Sequence, residues 1–123
     1  MNPPTRGRLL RSFGYAFRGV AAMLRLQANA RIHAGLTVVA VALGFALRIS
    51  PGEWCAIVAV IGLVFTAEGL NTAIETLTDL VSPEAHPLAG QAKDIAAGAV
   101  LCAAIAAAVV GAIVFLPKLL ALL

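Results

Sequence analysis

The sequence predicts an all-α integral membrane fold: an N-terminal amphipathic interfacial helix and three transmembrane helices, in a single domain over residues 1–123. Three observations predict it. Of the 123 residues, 61% are hydrophobic and only 12% are charged, against roughly 25% in a soluble domain; the mean hydropathy is +0.95. The chain has length for three apolar runs of the roughly 20 residues that cross a bilayer, and for no fourth. Six of the nine basic residues, Arg6, Arg8, Arg11, Arg18, Arg25 and Arg31, lie in the first 31 positions, and no acid occurs before Glu53.

The first element spans residues 8–26, with the interfacial segment continuing to 31. Leu10, Phe13, Phe17, Val20 and Leu24 recur at helical spacing, and Arg11, Arg18 and Arg25 recur every seventh position. At about 100° per residue the two stripes are centred roughly 120° apart. Such a helix suits the membrane surface, apolar side chains down and arginines among the headgroups; a basic helix packed on other protein is the plainer alternative. A basic front also fits nucleic acid, but the apolar remainder of the chain makes a membrane the better partner. No cleavable signal is expected, because the first long apolar run begins only after Arg31.

The first span is read over 32–49, closed by Arg48 and by the turn signal Ser50-Pro51-Gly52. The second is read over 54–81. Trp54 opens it as an interfacial anchor, it is apolar to Phe65, and it then turns polar through Thr66, Glu68, Asn71, Thr72, Glu75 and Asp79. A loop over 82–93 leads to the third span, 94–116, whose stretch Ile95 to Leu116 carries no charge before Pro117 and Lys118. The arginines place the N-terminus and the 82–94 loop in the cytoplasm, and with them the polar end of the second span. The spans are rich in Ala and Gly, which lets helices approach closely in lipid, and a three-span bundle is thin enough to expect a homo-oligomer.

The chemistry sits on the second span. Glu68, Asn71, Glu75 and Asp79 stand at i, i+3, i+7 and i+11, within a stripe roughly 80° wide. Lys93 and Asp94 open the next span at the same level. Glu68 lies about 21 Å past Trp54 at 1.5 Å per residue, inside the hydrocarbon, where an acid costs about 2.5–3.5 kcal/mol and usually serves a function. Pairing of these acids with the N-terminal arginines, purely to hold helices together, accounts for one or two of them but not for four polar groups in register. A deep carboxylate suits a general base on a lipid hydroxyl. Shallower carboxylates suit Mg²⁺ on nucleotide phosphates, and Lys93 with the arginines suits phosphate oxygens. Together these parts describe phosphoryl transfer from a nucleotide to a lipid alcohol.

Other motifs are missing: there is no G-x-x-x-x-G-K-[ST] and no G-x-S-x-G. Cys55 and Cys102 fall at opposite depths, which argues against a disulfide and for buried packing residues. His33 reads as an interface residue, and His33 and His86 are too far apart in sequence to argue a metal pair.

The run Ala67-Glu68-Gly69-Leu70-Asn71-Thr72-Ala73-Ile74-Glu75, with Asp79 and Ala92-Lys93-Asp94, resembles the prokaryotic diacylglycerol kinase family. The loop Ser82-Pro83-Glu84-Ala85-His86-Pro87-Leu88-Ala89 is similar to its undecaprenol kinase branch, and Gly14-Tyr15-Ala16-Phe17-Arg18-Gly19 to its N-terminal segment. The resemblance implies a homotrimer with active sites shared between neighbours and Mg²⁺-ATP-dependent phosphorylation of a membrane lipid alcohol, undecaprenol or diacylglycerol. It implies Glu68 as catalytic base, with Arg31 and Ala97 on the acceptor side, and Glu75 as a metal ligand. It places Arg8, Tyr15, Gln27, Asn71, Glu75, Asp79, Glu84, His86, Lys93 and Asp94 around the nucleotide. One departure stands out: better-known members carry a second metal-binding glutamate where this chain has Gln27, and a neutral amide offers a carbonyl oxygen but no charge.

The competing class is a non-catalytic small oligomeric transporter whose acids serve protons or cations. It needs polar groups along a whole span, and Trp54 to Phe65 offers none.

Overall fold

The computed structural model describes residues 5–123, and among these every regular element is helical: α1 (Arg6–Leu26), α2 (Ala28–Ala46), α3 (Pro51–Val81) and α4 (Pro87–Leu120). α2, α3 and α4 are each long and apolar enough to cross a membrane. α3 and α4, with 31 and 34 residues, measure about 46 and 51 Å at 1.5 Å per residue, well beyond a hydrocarbon core of about 30 Å. The polar residues of α3 and the start of α4 lie toward one end of this pair.

α3 and α4 form the main antiparallel pair, and α2 leans on both; α1 touches only α2 and α3. Near the α2–α3 turn the bundle is packed. Ile49, Ile57, Val114 and Phe115 are buried there, with Leu43, Trp54 and Val110 against them. Gly44 makes this possible: a Cβ at that position would stand 2.6 Å from Cη2 of Trp54, so the indole rests directly on the α2 backbone. Phe45 adds a tilted aromatic contact, 4.9 Å between ring centroids.

The turn itself differs from its sequence reading. The chain reverses at Arg48, which holds the left-handed conformation (φ 52°). The Ile49 amide donates to the Gly44 carbonyl and the Arg48 amide to that of Phe45, the two bonds of a Schellman helix end. Ser50-Pro51-Gly52 is therefore the beginning of α3. Ser50 is its N-cap, Pro51 occupies the first turn, and Glu53 completes a capping box with the Ser50 hydroxyl and amide, which satisfies amides that otherwise lack partners. Glu53 also pairs with Lys118 of α4 at 3.3 Å.

Three further boundaries move. The interfacial segment breaks at Gln27, whose extended backbone (φ −115°, ψ 116°) separates α1 from α2, so Arg31 and His33 belong to α2. The last helix starts at Pro87, with His86 as N-cap through its Nδ1 on the Leu88 amide. It also runs past Pro117 to Leu120. Cys55 and Cys102 are free, as expected, but both are exposed on the single chain, Cys102 along the groove between α3 and α4, and the reading of them as buried is corrected.

Candidate active site

The polar half of α3 forms a ladder, each rung met by a different neighbour. Deepest is Glu68, 1% exposed and the largest fully buried side chain. His33 of α2 reaches it, Nε2 to Oε1 at 3.5 Å. That is ion-pair range without hydrogen-bond alignment, and Glu68 Oε1 has no hydrogen-bond partner. One turn on, Asn71 is also buried, at 8% exposure, and its Oδ1 is likewise unpartnered. Buried polar atoms are nearly always hydrogen-bonded. Two bare acceptors one turn apart on one helix therefore mark a place built to receive donors.

The next rung, about 10 Å along the axis from Glu68, is Glu75. Its Oε2 accepts a 2.9 Å hydrogen bond from the Gln27 amide, so the residue that breaks α1 from α2 is tied to the α3 stripe. The last rung is Asp79, exposed and ion-paired with Lys93 of α4, which locks the ends of the two long helices together across the short loop. Thr72 and Thr76 complete the segment: their hydroxyls donate to the carbonyls of Glu68 and Thr72, which satisfies them within the helix.

Local sequence explains the close approach. On α2, Ala30, His33, Thr37, Ala40 and Gly44 repeat at helical spacing, and Ala30 is wholly buried; this small-residue face brings His33 against α3. On α3, Gly69 sits under Met23 of α1, where a Cβ would lie 3.6 Å from its Sδ. Met23 is the one residue of α1 that is buried.

The other predicted residues are exposed in the single chain and form no hydrogen bond or ion pair with this ladder. Arg8 and Tyr15 are exposed on α1, with Arg18 stacked over the Tyr15 ring at 5.6 Å. Arg31 folds back, donating through Nη1 to the Leu24 and Arg25 carbonyls at 2.9 Å each, and so caps the end of α1. Glu84, His86, Asp94 and Ala97 are exposed. His33 is the residue that sequence reasoning passed over. Its place on the small-residue face of α2 was a signal; its partner, 35 positions away, was not.

Two grooves border the ladder. One, of about 680 Å³, runs between α3 and α4 and is lined by Leu63, Ala67, Leu70, Asn71, Ala96 and Ala99 among others. The other, of about 370 Å³, lies between α2 and α4 over α3, and is apolar apart from His33 and Thr37. Among the described residues no three His, Cys, Asp or Glu side chains cluster as a metal cage. A Mg²⁺ carried in on phosphates needs only one or two carboxylates from the protein, and half-buried Glu75 with exposed Asp79 fits that demand. A second ion held by the protein fits poorly, because Gln27 presents its NH₂ to Glu75.

Comparison with known proteins gives consistent matches. The prokaryotic diacylglycerol kinase profile matches residues 14–115. An undecaprenol kinase of Bacillus subtilis (strain 168) is 42% identical over 112 residues, covering 91% of this chain and 91% of that protein. A diacylglycerol kinase of Synechocystis sp. is 43% identical over 116 residues, covering 94% of this chain and 66% of that protein. A diacylglycerol kinase of Escherichia coli (strain K12) is 31% identical over 102 residues, covering 83% of this chain and 84% of that protein.

Proposed function

This chain belongs to the prokaryotic diacylglycerol kinase family and is a multi-pass membrane lipid kinase that uses ATP; on that premise we propose that its acceptor is undecaprenol and that Glu68 is the general base. The observation that carries the base assignment is the burial of Glu68, whose side chain is 1% exposed and has only His33 beside Oε1, on the same helix face as Glu75 and Asp79. Undecaprenol is preferred because the Bacillus subtilis relative named for it matches this chain nearly end to end. Diacylglycerol is the second reading, supported by the names of the other relatives.

In this reading the alcohol slides along the apolar grooves until its hydroxyl meets Glu68. The carboxylate takes the hydroxyl proton as the alkoxide oxygen bonds to the γ-phosphorus, and ADP leaves with the electron pair of the broken P–O bond. Asn71 Oδ1, bare in the isolated chain, accepts a donor from the incoming substrates. Lys93, released from or shared with Asp79, holds phosphate oxygens. Glu75 and Asp79 are the residues that would hold Mg²⁺, with Gln27 contributing at most a carbonyl oxygen, and the ion would neutralise phosphate charge.

Arg8, Tyr15, Glu84, His86 and Asp94 complete the nucleotide site, and Arg31 and Ala97 the acceptor side, only if chains assemble. The exposure of these residues in one chain supports a homotrimer with shared sites. The arginine-rich α1 lies on the cytoplasmic face of the inner membrane, its apolar stripe in lipid, and puts the site on the ATP side.

Purified protein in lipid micelles, given labelled ATP, Mg²⁺ and a panel of alcohols, is expected to label undecaprenol most efficiently. Better turnover of diacylglycerol would transfer the acceptor assignment to the second reading.

A further inference from the structure

We propose that His33 is the positioning residue of Glu68, holding one carboxylate oxygen so that the other faces the acceptor hydroxyl; the inference rests on Glu68 being the base. A carboxylate removed from water is costly unless paired, and at 1% exposure Glu68 has almost no water to turn to.

The polar groups of the neighbouring elements are committed elsewhere or exposed. On α2, Arg31 is committed to the Leu24 and Arg25 carbonyls. On α3, Glu75 is held by Gln27, and the Thr72 hydroxyl goes to the backbone carbonyl of Glu68, away from its side chain. On α4, Lys93 is taken by Asp79, Asp94 is exposed, and the buried residue at this level is Ala96. On α1, Met23 covers Gly69, and Arg18 and Arg25 are exposed. This leaves His33, with Nε2 3.5 Å from Oε1.

The imidazole is itself well placed. Its backbone carbonyl accepts the Thr37 hydroxyl at 2.7 Å, and the ring borders an apolar groove in which Thr37, so occupied, is the other polar side chain. A ring N–H at Nε2 exists both in the imidazolium and in one neutral tautomer, so a small rotation closes 3.5 Å to a hydrogen bond in either state. Such a bond fixes the carboxyl plane, which general-base catalysis requires.

The test compares full-length wild-type protein with His33→Leu and His33→Gln in ATP-dependent undecaprenol phosphorylation, with Glu68→Gln as reference. Leucine keeps the volume and removes the N–H; it should lower kcat about tenfold to a hundredfold, the scale of losing a group that orients a reactive ligand. KM for ATP should stay within about twofold, since the contact is remote from the nucleotide. Glutamine supplies an amide N–H and should recover most of the loss. Full kcat in the leucine variant would overturn the proposal. So would parallel changes in kcat and KM that glutamine does not rescue, because these describe packing. If the leucine variant does not fold, His33→Ala is read by the same criteria. A fully active Glu68→Gln would refute the base assignment, whereas an inactive Glu68→Gln beside a fully active leucine variant refutes only the role of His33.

Discussion

The two ends of the helical bundle solve the same problem in opposite ways. At the α2–α3 turn the groups that close one helix and open the next have local partners. The Schellman bonds close α2, the capping box opens α3, Lys118 meets Glu53, and Trp54 packs against Gly44. At the far end the same helix, α3, buries Glu68 and Asn71 and leaves an acceptor oxygen bare on each. The first end is built for stability. The second forgoes stabilisation where His33 stands beside Glu68 and substrates are to supply a donor to Asn71, as expected where function sets the local geometry.

The largest effect expected from breaking this contrast is on catalysis. Glu68→Gln should lower turnover by about 10²–10⁴-fold, the range attributed to general-base catalysis. Its thermal midpoint in micelles should be at least that of wild type, because an amide replaces a buried and poorly paired carboxylate. A variant that loses activity together with stability would show the polar end to be as structural as the packed one.

The packed end should respond the other way. Gly44→Ala drives a methyl group to within 2.6 Å of Trp54, and overpacking of this kind costs about 1–3 kcal/mol. The expected result is a lower melting temperature with kcat per folded molecule retained. A smaller effect of the same sign is expected from Ser50→Ala, about 1 kcal/mol for a lost N-cap. If either variant lowers kcat at temperatures where it is fully folded, the two ends are coupled and the division of labour is wrong.

Much of this was legible in the sequence because lipid leaves the chain few options. Backbone polar groups at membrane depth must be satisfied within helices, so long apolar runs identify the spans, and a spacing of i, i+3, i+7, i+11 can only be one helix face. What was hidden depends on contacts between helices. Nothing between Leu24 and Arg31 is a helix breaker, yet the chain breaks at Gln27, whose side chain is bound to Glu75, 48 positions away. The pairing of His33 with Glu68 is invisible for the same reason. The exposed cysteines were misjudged because apolar surroundings in sequence do not distinguish a protein neighbour from lipid. By contrast, the start of α4 was marked in the residues themselves, since His86-Pro87 supplies a capping side chain and a first-turn proline.

Gln27 offers the finest test of the polar end. Its amide donates to Glu75 Oε2 at 2.9 Å, so without metal one oxygen of this carboxylate already has a hydrogen-bond partner. Gln27→Glu would set two carboxylates face to face, a repulsion of about 1 kcal/mol on the scale of partly exposed charge pairs. A divalent cation between them would reverse its sign. The variant should therefore melt a few degrees below wild type in chelator and gain more than wild type when Mg²⁺ is added. Its rate should also climb more steeply with Mg²⁺ concentration. An identical Mg²⁺ response in both proteins would mean that position 27 is remote from the ion, and that Gln27 serves only to fasten the α1–α2 break to α3.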